Sequence, residues 1–206
     1  MNITLAIIVG LALSAACGLR VFVPLLVLSI AARMGVLSLA PSLGWAGSNE
    51  AIIAFSVATV LEIVAYKVPW LDHALDTIAS PAAVLAGTMV TASQVGAIHG
   101  VSPMLQWACA IIAGGGIAGL VQTGSVSTRA ASTVTTAGLA NPIISAIQSL
   151  LAIVLSVLAV VAPIIAAVLV VLVVGSAIGM ILWIVRGRRA AASRRLAIPA
   201  PVSHAT

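Results

Sequence analysis

The sequence predicts an all-α fold, a polytopic bundle of transmembrane helices. Three observations carry this. Hydrophobic residues make up 62% of the chain and Asp, Glu, Lys and Arg only 6%, against roughly 25% charged residues in ordinary globular domains. Mean hydropathy is +1.28. The apolar runs are continuous and approach or exceed the roughly 20 residues a bilayer-spanning helix needs, whereas the strands of a membrane barrel alternate. Residues 1–185 form a single transmembrane domain with room for about six to eight membrane segments, two of them broken or re-entrant hairpins.

Residues 3–33 are one apolar block of about 30 residues, too long for a single upright helix. Gly18, Arg20 and Pro24 interrupt it. The pattern predicts two short helices meeting at Gly18-Leu19-Arg20, either as a re-entrant hairpin or as two spans. Pro24 falls in the first turn of the second arm, where a missing N–H costs nothing. Arg20 sits at the tip, either snorkelling to an interface or contacting an anion.

Residues 34–50 are loop-like, broken by Gly35, Pro41, Gly44 and Gly47. A helix over 51–67 ends before Val68-Pro69, and Asp72 is placed to cap the next one, 73–97. Residues 104–122 follow, with Gly115 and Gly119 in a GxxxG that lets membrane helices approach closely. The Walker spacing and its Lys are absent, so this glycine run is not a phosphate loop. Residues 123–142 are polar by the standard of this chain and predict a second break at Thr123–Arg129, with a short helix after it. Residues 143–185 suffice for two spans turning near Pro163, the last carrying a second GxxxG at Gly175 and Gly179. Trp45, Trp70, Trp107 and Trp183 all fall at predicted ends or loops, as interfacial belts favour. Residues 3–97 and 104–185 read as a loose duplication without residue-level identity.

Five of the nine Lys and Arg residues (Arg186, Arg188, Arg189, Arg194 and Arg195) follow the last apolar run. Residues 186–206 are therefore expected to be a basic, disordered, cytoplasmic tail. A topogenic role accounts for this charge, and no nucleic-acid partner is expected. Treating both breaks alike and working back from the tail puts both termini in the cytoplasm. Cys17 and Cys109 lie in apolar runs without CxxC spacing and read as inert thiols. No Lys or Arg precedes the first apolar stretch, so the start reads as mature membrane sequence rather than a removed signal.

Charge inside the apolar part is concentrated in EIVAYKVPWLDHALD, residues 62–76, which holds three of the four acidic residues. An ionised group at the centre of a membrane helix costs about 2.5–3.5 kcal/mol, so such groups face an interior, water or the membrane surface. Asp72 and Asp76, four apart, share a helix face. A short turn brings Glu62, Lys67, Asp72 and Asp76 to one side of the membrane. The set reads as a helix cap with a Lys67–carboxylate pair, or as an ion or proton site. A second set, Arg20 and Arg129 with Ser125, Ser127 and Thr128, reads as an anion or substrate site. The planar fork of Arg holds carboxylate or phosphate through paired hydrogen bonds, and the ends of broken helices form substrate sites in transporters. Both guanidinium groups are expected to point into one polar cavity beside these hydroxyls.

No catalytic chemistry is legible. His73, His99 and His204 lack metal-ligand spacing, and Ser125, Ser127 and Thr128 have no base nearby in sequence. No enzyme activity, metal or cofactor is expected. Two readings remain: a transporter or channel-like protein for a small solute or anionic group with proton or cation coupling, and a non-transporting scaffold or accessory subunit. The expected partners are the lipid bilayer, a small solute or lipid headgroup, and a second copy of the chain through Gly115/Gly119 or Gly175/Gly179.

The string Glu62-x4-Lys67-x-Pro69-Trp70-x-Asp72-x3-Asp76, preceded by Gly18-Leu19-Arg20 and followed by Thr128-Arg129, resembles the bacterial membrane family called domain of unknown function 4126. The likeness covers roughly residues 5–163. It implies a multi-pass protein of the bacterial cytoplasmic (inner) membrane and no established activity. Two positions depart from the family pattern. Relatives tend to have a Lys shortly before the Thr-Arg pair, where this chain has Ser125. They also tend to have an acidic pair in the following helix, aligned here with Gln148 and Ser149.

Overall fold

The computed structural model describes residues 3–66 and 71–196, with side chains throughout except at 71–75 and 188–196. Among the described residues the regular structure is helical, with no strand. The first arm, α1 (Ile3–Cys17), and the second, α2 (Phe22–Arg33), meet at a tip formed by Gly18–Val21. Gly18 is required there by contact: a Cβ would stand 2.5 Å from the Ala118 carbonyl oxygen and 2.6 Å from Val121 Cβ.

A 3-10 turn, Pro41–Gly47, leads at a 64° bend into α3 (Asn49–Ala65). Ser48 caps α3 by accepting from the Ala51 N–H at 3.1 Å. Helix α4 (Leu71–Val95) contains Pro81. Then α5 (Pro103–Cys109), a π-helical segment (Ala110–Gly115) and α6 (Gly116–Thr136) run on as one rod. Helices α7 (Asn141–Val161) and α8 (Pro163–Leu196) turn at Ala162-Pro163, as expected.

Residues 3–33 form a helical hairpin whose two arms are both shorter than a full-length span. Helix α1 runs antiparallel to α4: Ser14 Oγ donates to the Gly87 carbonyl at 2.7 Å, and Thr91 Oγ1 donates to that of Gly10 at 3.3 Å. Helix α2 returns to the end where α4 finishes, where the Ala40 N–H donates to the Ser93 carbonyl at 2.8 Å. Buried small residues of α1 (Ala6, Val9, Ala12, Ala15 and Ala16) let the hairpin sit at the centre of the bundle.

The second expected break, at Thr123–Arg129, is absent. Hydroxyls there bond back to the helix itself, Thr123 to the Gly119 carbonyl at 2.8 Å and Thr128 to that of Gly124 at 2.9 Å. A polar stretch can satisfy itself in this way and stay helical. The irregular turn lies instead in the preceding glycine run, where α6 meets α4: a Cβ on Gly115 would lie 2.7 Å from Thr88 Oγ1, and one on Gly119 3.2 Å from Val84 Cγ2. This GxxxG therefore packs within the chain, whereas a Cβ on Gly175 or Gly179 would meet no neighbouring element within 4 Å among the described residues. The basic segment expected to be disordered from residue 186 is helical as far as Leu196, in keeping with the high helix propensity of Arg and Ala.

Four helical stretches are long and apolar enough to cross a membrane, Asp76–Val95, Pro103–Thr136, Asn141–Val161 and Pro163–Gly187, and the bent pair ending in α3 makes up to five. Helices α1 and α2 are apolar but only 15 and 12 residues long. After the hairpin, α3, α4, the α5–α6 rod, α7 and α8 alternate in direction along the bundle, so Ile3 and the end of α8 lie at its opposite ends. The expectation of both termini on one side required the two breaks to be alike, whereas residues 103–136 form one continuous helical rod and the described ends, Ile3 and Leu196, lie apart. The start of α4, the ends of α3 and α6, and the start of α7 share one end with the exit of α8.

Candidate functional site

The site is assembled at the hairpin tip. A helix start leaves backbone N–H groups without intrahelical acceptors. At α2 the Glu62 carboxylate, from the last turn of α3, accepts from Val21 N at 2.8 Å and Phe22 N at 3.1 Å. A carboxylate at a helix N-terminus is also favoured by the helix dipole. Glu62 thus holds the tip to α3.

Arg20, on that tip, is 1% exposed. Its Nε donates to Ser149 Oγ at 2.8 Å, and its Nη2 donates to the Ser145 carbonyl at 2.9 Å and to the Ser145 hydroxyl. Its Nη1 has no hydrogen-bond partner among the described residues. The guanidinium carbon lies 4.0 Å from the centre of the Tyr66 ring. That of Arg129 lies 4.9 Å from the same ring, so one aromatic side chain meets two cations, each attracted to its π-system.

Arg129 is paired by two prongs to Asp76, Nε to Oδ2 at 3.2 Å and Nη2 to Oδ1, and its Nη1 donates to Gln148 Oε1. The Tyr66 hydroxyl donates to the same Asp76 Oδ1 at 3.2 Å.

The acidic and basic sets, separate in the sequence, therefore interlock around Tyr66. Arg20 and Arg129 do come together, but not in a cavity beside Ser125, Ser127 and Thr128. Ser125 donates to the Gly18 carbonyl at 3.3 Å, Thr128 bonds within α6, and Ser127 is half-buried on the same helix. The guanidinium bonds go to α4 and α7 instead. Lys67 lies outside the described residues, and Asp72 is in a helical stretch whose side chains are not described.

Two cavities flank this cluster. One, of about 290 Å³, is lined by Asp76, Thr77, Ser80, Arg129 and Asn141. Asn141 donates from Nδ2 to Thr133 Oγ1 at 3.0 Å, while its buried Oδ1 has no partner among the described residues. The other, of about 310 Å³, is lined by Ser125, Thr128, Gln148 and Ser176 among apolar residues. Arg129 faces the first, and Gln148, its hydrogen-bond partner, faces the second. Among the described residues no group of three His, Cys, Asp or Glu side chains is placed to hold a metal.

Tyr66 and the α7 residues Asn141 and Ser145 were not among the predicted site residues. Two signals point to them: Tyr66 is the single tyrosine of the chain, and Asn141, Ser145, Gln148 and Ser149 recur at helical spacing along one face of an apolar helix.

An all-helical chain of this apolarity, with charged side chains enclosed by its helices, is a multi-pass membrane protein. Residues 7–183 match the family described as Domain of unknown function (DUF4126), and the chain belongs to that family. No curated protein and no solved structure matches it.

Proposed function

We propose that the protein moves a small anionic solute across the membrane in company with a proton. The observation that carries this reading is Arg129, which is buried, paired to Asp76 and at the same time part of a cavity wall. A solute carboxylate or phosphate entering that cavity competes with Asp76 for the guanidinium. Protonation of Asp76 frees the fork, and one negative charge then replaces another without leaving a buried arginine unpaired, which would be costly. Tyr66 holds the proton-accepting oxygen by its hydrogen bond, and the ion or proton site and the anion site become one exchange point.

The membrane is the bacterial cytoplasmic one. The arginines from Arg186 onward belong to the charged end of the bundle and Arg33 to the other, so the positive-inside rule makes the charged end cytoplasmic. If copies associate through a glycine pair, it is Gly175 and Gly179, since Gly115 and Gly119 already pack against α4.

The test is flux into proteoliposomes carrying an internal pH dye, with chloride, phosphate and succinate as probes. The expected result is acidification driven by at least one anion, lost in Arg129→Lys, which keeps the charge but not the fork. No anion-driven signal above protein-free vesicles overturns the transport reading. The scaffold reading then takes its place, favoured by the fact that Arg129 and Asp76 already satisfy one another.

A further inference from the structure

The far end of α4 carries a second feature that the charged cluster does not use. Gln94 lies 18 residues beyond Asp76 on the same helix, about 27 Å away at 1.5 Å per residue. It is fully buried, yet its Oε1 has no hydrogen-bond partner among the described residues. The orientation of its amide follows from its neighbour. Ser93 Oγ spends its hydrogen on the Val90 carbonyl at 2.7 Å, so it can only accept from Gln94 Nε2, at 3.3 Å. The carbonyl oxygen of the amide is thereby left pointing away from Ser93.

Gln94 lines a cavity of about 390 Å³ with Ala6, Ser38, Ala97, Ile98 and His99. The floor, Ala6 and Gln94, is buried, and the rim residues Ser38 and His99 are exposed. A buried acceptor left unmade costs about 1–3 kcal/mol, and an N–H or O–H donor brought to it recovers this. The volume lies in the range of small-molecule sites and exceeds that of a single water, about 30 Å³. Among the described residues no Asp, Glu, Lys or Arg lines the cavity, and its one ionisable lining residue, His99, stands at the exposed rim, so an ion at the floor would lie without an adjacent counter-charge, at high cost.

We infer that this cavity is a binding site for a small uncharged solute carrying N–H or O–H donors, an amide or a polyol, held by Gln94 Oε1. The inference does not depend on the transport reading, because the site lies at the opposite end of the bundle from Arg129.

The experiment uses the full chain in nanodiscs with Cys109→Ala and Ser38→Cys, so that the rim carries the reactive thiol while Cys17 stays buried. Alkylation of that thiol by N-ethylmaleimide is followed with acetamide, glycerol, methylammonium or acetate present, each rate taken relative to free cysteine in the same solution. Saturable, several-fold protection is expected from acetamide or glycerol but from neither ion, and the effective probe identifies the class. Gln94→Leu removes the acceptor; Ala97→Leu narrows the cavity and leaves the amide in place. Protection should vanish in both, and Ala97→Leu decides alone if Gln94→Leu does not fold. Water alone fills the cavity, and the inference fails, if neither neutral probe protects. It fails equally if the ions protect as well, or if protection survives in either folded variant.

Discussion

Arg129 grips both carboxylate oxygens of Asp76, a residue 53 positions earlier, and the two side chains are 3% and 12% exposed. The pair fastens α6 to the start of α4. A buried ion pair adds little compared with a well-packed apolar pair, but removing one partner strands the other. Asp76→Ala is therefore expected to cost about 3–5 kcal/mol, and the double variant Asp76→Leu with Arg129→Leu much less than the sum of the singles. Thermal unfolding in detergent checks this. Additive losses would mean that the two residues act separately.

How much of this was legible depends on the kind of signal. The hairpin at Gly18-Leu19-Arg20 and the turn at Pro163 could be read because a lipid-length rule and a Gly or Pro breaker coincide there. The false break at Thr123–Arg129 came from treating polarity as irregularity. Ser and Thr satisfy themselves on the preceding turn, so a polar run in a membrane helix marks an inward face, not an end. That Arg20 and Arg129 would meet followed from their need for partners. That they would meet on Tyr66, and that Ser145, Gln148 and Ser149 would take their hydrogen bonds, depends on contacts between residues more than a hundred positions apart for Arg20, which spacing along the chain does not encode. Gln148 and Ser149, the two positions read in the sequence as departing from the family pattern on α7, are the ones that touch Arg129 and Arg20. Here both are neutral, and among the described residues Arg20 has no bonded carboxylate.

Glu62 and Glu50 lie on the same helix in opposite circumstances. Glu62 accepts from two N–H groups at the start of α2, while Glu50 is exposed in the first turn of α3. Glu62→Gln keeps one acceptor but loses the charge and the second bond. It is expected to lower stability by about 1–2 kcal/mol, and to loosen the tip before the rest of the bundle. Glu50→Gln should leave the melting temperature unchanged. Hydrogen exchange at Val21 and Phe22 provides the local readout; equal protection in both variants would remove the cap from the account.

Gly18 and Gly116 give a second matched pair. A methyl at Gly18 meets the Ala118 carbonyl and Val121 at 2.5 and 2.6 Å, whereas one at Gly116 meets nothing within 4 Å. Gly18→Ala should push the tip away from α6 and cost about 1–3 kcal/mol, as overpacking of a close contact does. Gly116→Ala should be neutral or stabilise by up to about 1 kcal/mol through helix propensity. Equal melting temperatures would show that the tip does not sit against α6.

The last prediction concerns orientation, since the two ends of the bundle carry different sites. Helix α1 enters and α2 leaves at the end where α4 finishes, as the Ser14–Gly87 and Ala40–Ser93 hydrogen bonds show. The five traversing helices after the hairpin then carry the chain out at the end where α4 begins. The basic residues of the described helices are unequally shared: the arginines from Arg186 onward fall at the exit end, Arg33 at the other. Lys and Arg near span ends are retained in the cytoplasm, so the exit end is expected to face inward. A reporter at residue 206 and one at Gly138, in the α6–α7 turn, should both read as cytoplasmic. Reporters at Gly44 and Gly100 should read as external. The charged cluster then opens toward the cytoplasm, and the Gln94 cavity toward the outside. Reporters at residue 206 and Gly100 reading the same side would require an even number of crossings between them, and the single passage assigned to one of α7 and α8 would have to be withdrawn.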